Sequence, residues 1–460
     1  MKHPEPRNRN VGNHALCCTA IAVYLVAGMT YIRVSEPMAQ VDFAIKLTIP
    51  IGLVLLSRLH RLQSAAQVVL ALYAVLLAYT VLVSSFSEAP TLVLRNTGKF
   101  LYGIFFLVAL LLTVRSKNRL LHILAILPYL GGLFAMQTII VFVGVQTGYP
   151  PPSQIILLES YKQMPVLSYG WLGFGSGTMA LGSWYQVYRA QSFFLEPTRL
   201  ACFLEASMIL GFGIYKATGR KRMLLCTILS AISFVLTFSM TAYVMVFFTA
   251  VCYFLVRYRR WMGPLAGFVR VMVLVGAVIV AALYFRASFA FYESEVSPLG
   301  MAFGHSEVEL SVRQQFLRQT MRMVLDHPFG IGVIGTEDSD ILKSYPGAGQ
   351  DVMAPLLWMK IAGIVGIVLQ LVIVVMILRM ALRRLGDVGL DRYVGLAFVA
   401  TVLHQCLAGN WFDAQYFVLL TAVVVTDSHR SAIGAVNALP DNRPLGMPDR
   451  RERKREVVLL

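Results

Sequence analysis

Long apolar stretches alternate along this chain with short polar breaks, a pattern that predicts helices crossing a membrane. A span needs roughly 20 mostly apolar residues, because a helix rises about 1.5 Å per residue and the hydrocarbon layer is about 30 Å thick. Runs of this character lie near 15 to 34, 41 to 57, 65 to 84, 100 to 114, 120 to 146, 198 to 215, 223 to 238, 240 to 256, 267 to 285, 355 to 378, 393 to 408 and 413 to 426. They predict an all-α polytopic membrane protein with about twelve transmembrane helices. Met223 to Val256 is too long for one span, so Thr237-Phe-Ser239 is expected to turn the chain between two. Asn410-Trp-Phe-Asp413 is expected to do the same near the end.

Basic residues recur at every second break: Lys2, Arg7 and Arg9, then Arg58 with Arg61, Arg115 with Lys117 and Arg119, Lys216 with Arg220 to Arg222, Arg257 with Arg259 and Arg260, and Arg379 with Arg383 and Arg384. Cytoplasmic loops are the ones enriched in lysine and arginine, so both termini are expected in the cytoplasm. The chain then divides into amino-terminal helices (1–146), a first long outer loop (147–197), helices (198–285), a second long outer loop (286–354), carboxy-terminal helices (355–426) and a basic tail (427–460).

Composition agrees with that reading and excludes a soluble enzyme: 57% of residues are hydrophobic, 14% are charged, and the mean hydropathy is +0.67. The net charge of +16 is mostly topogenic, so nucleic acid is not an expected partner. The tail Arg450 to Arg455 reads as a solvated segment, with anionic lipid contact as the alternative. The first helix lacks a small-residue cleavage site and is expected to stay as an anchor. All six cysteines fall in apolar spans and read as small core residues. No metal-ligand spacing, phosphate-binding glycine loop or dinucleotide fingerprint occurs, so neither a metal nor another cofactor is expected.

Candidate chemistry concentrates in and beside the outer loops. Arg189 and Glu196, with Pro197, stand where the first loop re-enters the membrane, and charges at the edge of an apolar segment are costly unless they meet a ligand or each other. Glu196 could also be held in a salt bridge to Arg189 or Arg199. Earlier in that loop, Gly170-Trp-Leu-Gly173, Gly175-Ser-Gly177, Trp184 and Tyr185 suit a segment lying on the membrane surface, or a platform for stacking sugars. In the second loop, Val308 to Asp326 is expected to be helical, with Leu310, Leu317, Thr320 and Val324 on one stripe and Arg318, Arg322 and Asp326 on another side. Arg313 falls on the apolar stripe, where a guanidinium needs a partner, and a diphosphate suits its planar fork. An internal salt bridge is the alternative. His327, before Pro328, is expected to serve a turn.

The stretches 189–204 (RAQSFFLEPTRLACFL), 236–243 (LTFSMTAY), Arg313 with 326–332 (DHPFGIG), and 363–366 (GIVG) resemble, in that order, the signature stretches of the O-antigen polymerase and ligase superfamily. The resemblance covers roughly residues 185 to 370. It implies a GT-C-like, all-helical glycosyltransferase of the bacterial inner membrane, working on the periplasmic side without a metal on undecaprenyl-diphosphate-linked glycans. Arg189 and Arg313 match the family's two loop arginines and would bind the diphosphate. Glu196 would be the base that accepts the acceptor's proton, with Asp351 the next candidate. Ligases carry asparagine-proline where this chain has Glu196-Pro197, and a histidine where it has Gly349, Gln350 and Asp351. The resemblance therefore favours a polymerase of lipid-linked repeat units, in contact with membrane lipid and with a chain-length regulator as a partner to test. A ligase delivering finished glycan to lipid A core or protein is the nearest alternative. A secondary transporter is the reading from another class, although no two halves of the chain match.

Overall fold

The computed structural model of the protein describes residues 7–29, 36–57, 62, 64–86, 90–114, 116–147, 153–159, 162–168, 173–181, 185–194, 196–257, 319–332, 344–345, 354–407, 411 and 413–438. Its helices are α1 (Arg7–Met29), α2 (Glu36–Leu56), α3 (Ser64–Ser85), α4 (Pro90–Thr113), α5 (Lys117–Thr147), α6 (Pro197–Thr218), α7 (Lys221–Leu236), α8 (Met240–Arg257), α9 (Ala354–Arg384), α10 (Leu390–Leu407) and α11 (Ala414–Ala438). Each falls on an apolar run read from the sequence. The run at 267 to 285 lies outside the described residues. Among the described residues, α3, α5, α6 and α9 are long and apolar enough to cross a membrane, and shorter apolar segments lie in α1, α4, α8 and α11.

The way these helices divide their apolar residues identifies their solvent. Along α9, Ile373 and Ile377 are wholly buried against neighbouring helices, while Ile364, Val368 and Val375 are each more than half exposed. Water would penalise that outer stripe by about 25 cal/mol per Å², whereas lipid tails do not. The chain is therefore a membrane protein. Inside, α6 packs on α5 and α7 with small residues at the closest approaches: a Cβ added at Gly131 would fall 2.5 Å from the Ser207 Cβ, and one at Gly211 would fall 2.5 Å from the Thr227 hydroxyl. At the end of the bundle where α9 finishes, Arg384 is 2% exposed. It pairs with Asp427 at 3.1 Å, Asp387 at 3.5 Å and Asp391 at 3.9 Å, joining the end of α9 to the start of α10 and the middle of α11.

The first long loop departs from the all-α expectation. It holds a four-stranded antiparallel sheet in the order β1 (Ser153–Glu159), β2 (Lys162–Ser168), β3 (Phe174–Leu181) and β4 (Tyr185–Ser192). The first hairpin sets Glu159 opposite Lys162, and β3 pairs with β4 from Phe174↔Ser192 to Leu181↔Tyr185 with irregularities at Gly175 and Ser176. Gly175, Gly177 and Tyr185, among the glycines and aromatics that read as a surface segment, are strand residues of this sheet. Their short, closely spaced runs match strand length, and β-branched and aromatic residues suit the pleated backbone.

The turn between α7 and α8 lies where the sequence expects it, with Thr237 at the C-cap of α7 and Phe238 at φ 46°. By contrast α9, read as one uninterrupted span, is broken. Ala362 and Gly363 leave helical geometry (φ −128°, ψ 15°; φ 61°, ψ −156°). Segment 327–332 packs into the break: Ile331 N–H donates to the Lys360 carbonyl at 3.0 Å, Gly332 N–H to the Ile361 carbonyl at 2.9 Å, and Ile364 N–H to the Pro328 carbonyl at 2.9 Å. Glycine is required on both sides, since a Cβ on Gly330 would sit 2.6 Å from the Gly363 nitrogen, and one on Gly363 would collide with the Pro328 carbonyl.

Gly363→Ala should therefore lower the melting temperature of the purified protein much more than Gly219→Ala. Both replace a glycine at positive φ, which costs about 1–2 kcal/mol. Only Gly363 adds a backbone collision, because nothing lies within 4 Å of a Cβ at Gly219. Equal melting temperatures for the two variants would refute the tight pairing.

Candidate functional site

Four stretches carry the family resemblance, and the fold joins them in two pairs. The first pair is the β4–α6 connection and the α7–α8 turn. Ser192, at φ 50°, donates its hydroxyl to the Gln137 side-chain oxygen of α5 at 2.9 Å, fixing the end of β4. Gly173 at φ 114° makes room, since a Cβ there would fall 2.6 Å from the Ser192 carbonyl carbon. Phe194 is fully buried, with ring centroids 5.2 Å from Phe134 and 5.7 Å from Phe203. Pro197 then opens α6, its fixed φ already helical and its missing N–H not needed there.

Against this frame sits the turn. Arg189 Nε donates to the Thr237 carbonyl at 3.3 Å, which fixes the plane of the guanidinium. Thr198, in the first turn of α6, shares a hydrogen bond with the Ser239 hydroxyl at 3.1 Å. Tyr243 closes the hairpin by donating to the Val235 carbonyl at 2.6 Å, and the Arg189 charge reaches its hydroxyl. Glu196 stands between Arg189 and Thr198 in sequence as the extended N-cap of α6. Its carbonyl accepts the Arg199 and Leu200 N–H groups at 3.1 and 3.3 Å, while its side chain makes no capping hydrogen bond. Arg189 and Glu196 thus flank one turn.

The second pair is 326–332 with the α9 break. Thr320 and Val324 are buried, whereas Arg322 and Asp326 are exposed, so the stripe expected for this helix faces inward over 319–326. His327 belongs to a turn, its N–H bonded to the Met323 carbonyl at 2.8 Å and its carbonyl accepting from Gly330 at 2.9 Å. Asp326 accepts from the Tyr345 hydroxyl, and that bond to the carboxylate raises the Tyr345 phenol above its ordinary pKa. Arg313 and Asp351 lie outside the described residues. Tyr79 of α3 reaches the Phe329 carbonyl at 3.4 Å, and Phe100 of α4 packs on Trp358 of α9 at 5.5 Å between ring centroids. Gln415, at the start of α11, donates to the Cys202 carbonyl of α6 at 3.3 Å. These contacts and the alternating helix directions put the starts of α4, α6, α8, α9 and α11 at one end of the bundle, together with both joined pairs.

Sequence reading passed over Lys360, whose ammonium is only 5% exposed within α9, next to the break. A lone lysine in an apolar run was the available signal, because burying one is tolerated only for a reason. It also passed over Glu205 and His404, buried in α6 and α10 and 3.4 Å apart. Nothing in their spacing, 199 residues apart, predicts the pairing. All six cysteines are free, as their apolar settings suggest, and no cluster of metal-binding side chains is present among the described residues.

No curated protein matches the chain. Residues 225–356, running from within α7 through the second long loop to the start of α9, match the family model described as O-Antigen ligase. The 189–204 stretch lies outside that match, and 363–366 follows it. Two of the four stretches, 236–243 and Arg313 with 326–332, lie inside the matched segment, which is what the chain shares with the O-antigen ligase family.

Proposed function

We propose that the protein is an inner-membrane glycosyltransferase that joins lipid-linked repeat units, moving glycan from undecaprenyl diphosphate onto the next unit at the extracytoplasmic end of the bundle. One observation carries this reading most directly: Arg189 and the first turn of α6 both hold the α7–α8 turn, through Thr237 and Ser239. An oriented guanidinium and a carboxylate flanking that turn are what the reaction needs. The acceptor hydroxyl attacks the anomeric carbon, the bond from that carbon to the diphosphate oxygen breaks, and undecaprenyl diphosphate leaves with the electron pair. Arg189 and Arg313 would offset the charge growing on the departing diphosphate, as a divalent metal does elsewhere. Glu196 would take the acceptor's proton, with Asp351 as the second candidate base. A ligase reading is favoured by the family description, and a polymerase reading by Glu196-Pro197 and the absence of histidine at Gly349, Gln350 and Asp351.

Arg189→Ala and Arg313→Ala should each reduce glycan transfer by about 100-fold or more, the size expected for losing one donor to transition-state charge. Arg322→Ala should change little, because that side chain is exposed on the outer side of its helix. Lysine at position 189 or 313 should rescue partly, since a point charge replaces a two-pronged one. Equal losses in all three alanine variants would sink the assignment.

Purified protein given lipid-diphosphate repeat units alone should produce a ladder of longer lipid-linked chains, and Glu196→Gln should slow its growth about 100-fold or more. Transfer of one intact chain to a separate acceptor, with no ladder, would make the protein a ligase.

A further inference from the structure

Below the outer end, α6, α8, α10 and α11 enclose polar side chains that the proposed reaction does not use. Glu205 is 1% exposed and His404 wholly buried. His404 Nδ1 lies 3.4 Å from one oxygen of the Glu205 carboxyl group, and the Thr249 hydroxyl of α8, which also lies 2.8 Å from the Met245 carbonyl, lies 3.1 Å from the other. Around them, Gln415 Nε2 donates to the Cys202 carbonyl and, at 3.1 Å, to the Thr401 hydroxyl, while Gln405 Nε2 donates to Asp413 at 3.1 Å. His404 Nε2 and the side-chain oxygens of Gln405 and Gln415 are buried with no hydrogen-bond partner among the described residues.

Charge accounting narrows what this pair can be. An ionised glutamate beside a neutral histidine leaves one net charge in the membrane interior, supported by a single threonine hydroxyl. One proton placed on either partner makes the pair neutral overall, the state that burial favours. On α6, Cys202 feels the charges of Glu205 and of Asp413 at the start of α11, while Cys252 on α8 and Cys406 on α10 are the thiols on the helices packed against α6. Packed on α6 from the other side, α5 and α7 contribute Gly131 and Ser230 near Ser207, which carry no charge.

The pair is rigidly connected to the site. Glu205 lies nine positions along α6 from Glu196, and Thr249 ten along α8 from Ser239, so each is about 13–15 Å from the outer turn on a continuous helix. Two rungs thus tie α6 to α8: Thr198 with Ser239 at the outer end, and Glu205 with Thr249 inside. His404 fastens the inner rung to α10. We propose that Glu205 and His404 share one proton in the membrane interior and act as positioning residues for the reaction at the outer ends of α6 and α8. This rests on the glycosyl-transfer reading.

The test uses the full-length purified protein and lipid-diphosphate repeat units, with kcat and KM measured. Glu205→Gln and His404→Gln should each lower kcat by about 10- to 100-fold, the effect of a small misplacement of reacting groups, with KM little changed. Glu205→Asp, which keeps the carboxylate, should recover much of kcat. Nitrogen-15 NMR of histidine-labelled protein should show a His404 imidazole, identified by its loss in His404→Gln, whose ring-nitrogen shifts change in Glu205→Gln. That readout needs no glycan, so it still judges the shared proton if the wild type transfers none and the functional reading fails. Single variants with wild-type kcat, or an imidazole with identical ring-nitrogen shifts with and without the Glu205 carboxylate, would overturn the proposal.

Discussion

Inside a bilayer no water is present to hydrogen-bond a backbone that leaves the helix, and each group left bare costs about 1–3 kcal/mol or more. The end of the bundle that holds both joined pairs is built around that constraint. Where α9 opens at Ala362 and Gly363, segment 327–332 supplies the missing partners through three main-chain bonds. Where α7 turns into α8, the Thr237 carbonyl is taken by a guanidinium, and Ser239 both caps α8, at 3.4 Å from the Ala242 nitrogen, and meets Thr198. Irregular backbone at such a depth survives where protein covers it, so its conformation is over-determined. That rigidity is what a charge-stabilising site requires.

The contrast between the two ends of the bundle is informative. Arg384 is neutralised three times over by Asp387, Asp391 and Asp427, so it closes the structure and leaves little charge for a ligand. Arg189 bonds a neutral carbonyl of the turn through Nε, so this contact orients the guanidinium without itself being an ion pair.

Much of the helical architecture was legible because apolar runs of membrane-spanning length have few other outcomes. The α7–α8 turn was legible too, since Met223 to Val256 exceeds one bilayer. The sheet was not: strands of seven or eight residues leave a weak signal beside glycines and tryptophans that equally suit a membrane surface. The α9 break was hidden because Gly363 sits in an otherwise unbroken apolar run, and only the arrival of Pro328 and Gly330 from another segment explains it. At the site, Arg189 and Glu196 stood out as charges at a membrane edge. The bond from Arg189 to Thr237, and that between Thr198 and Ser239 beside Glu196, depend on tertiary packing that no local pattern encodes, and the Glu205–His404 pair depends on it wholly.

The ligand proposed for this end of the bundle is a lipid diphosphate. The most direct measurement is equilibrium binding of undecaprenyl diphosphate to the purified protein, followed by native mass spectrometry without any glycan or turnover. Wild-type protein should bind one molecule saturably, and Arg189→Ala should weaken that binding by about 10-fold or more, the usual worth of a charge-assisted pair. Binding of equal strength in the two proteins would contradict the assignment.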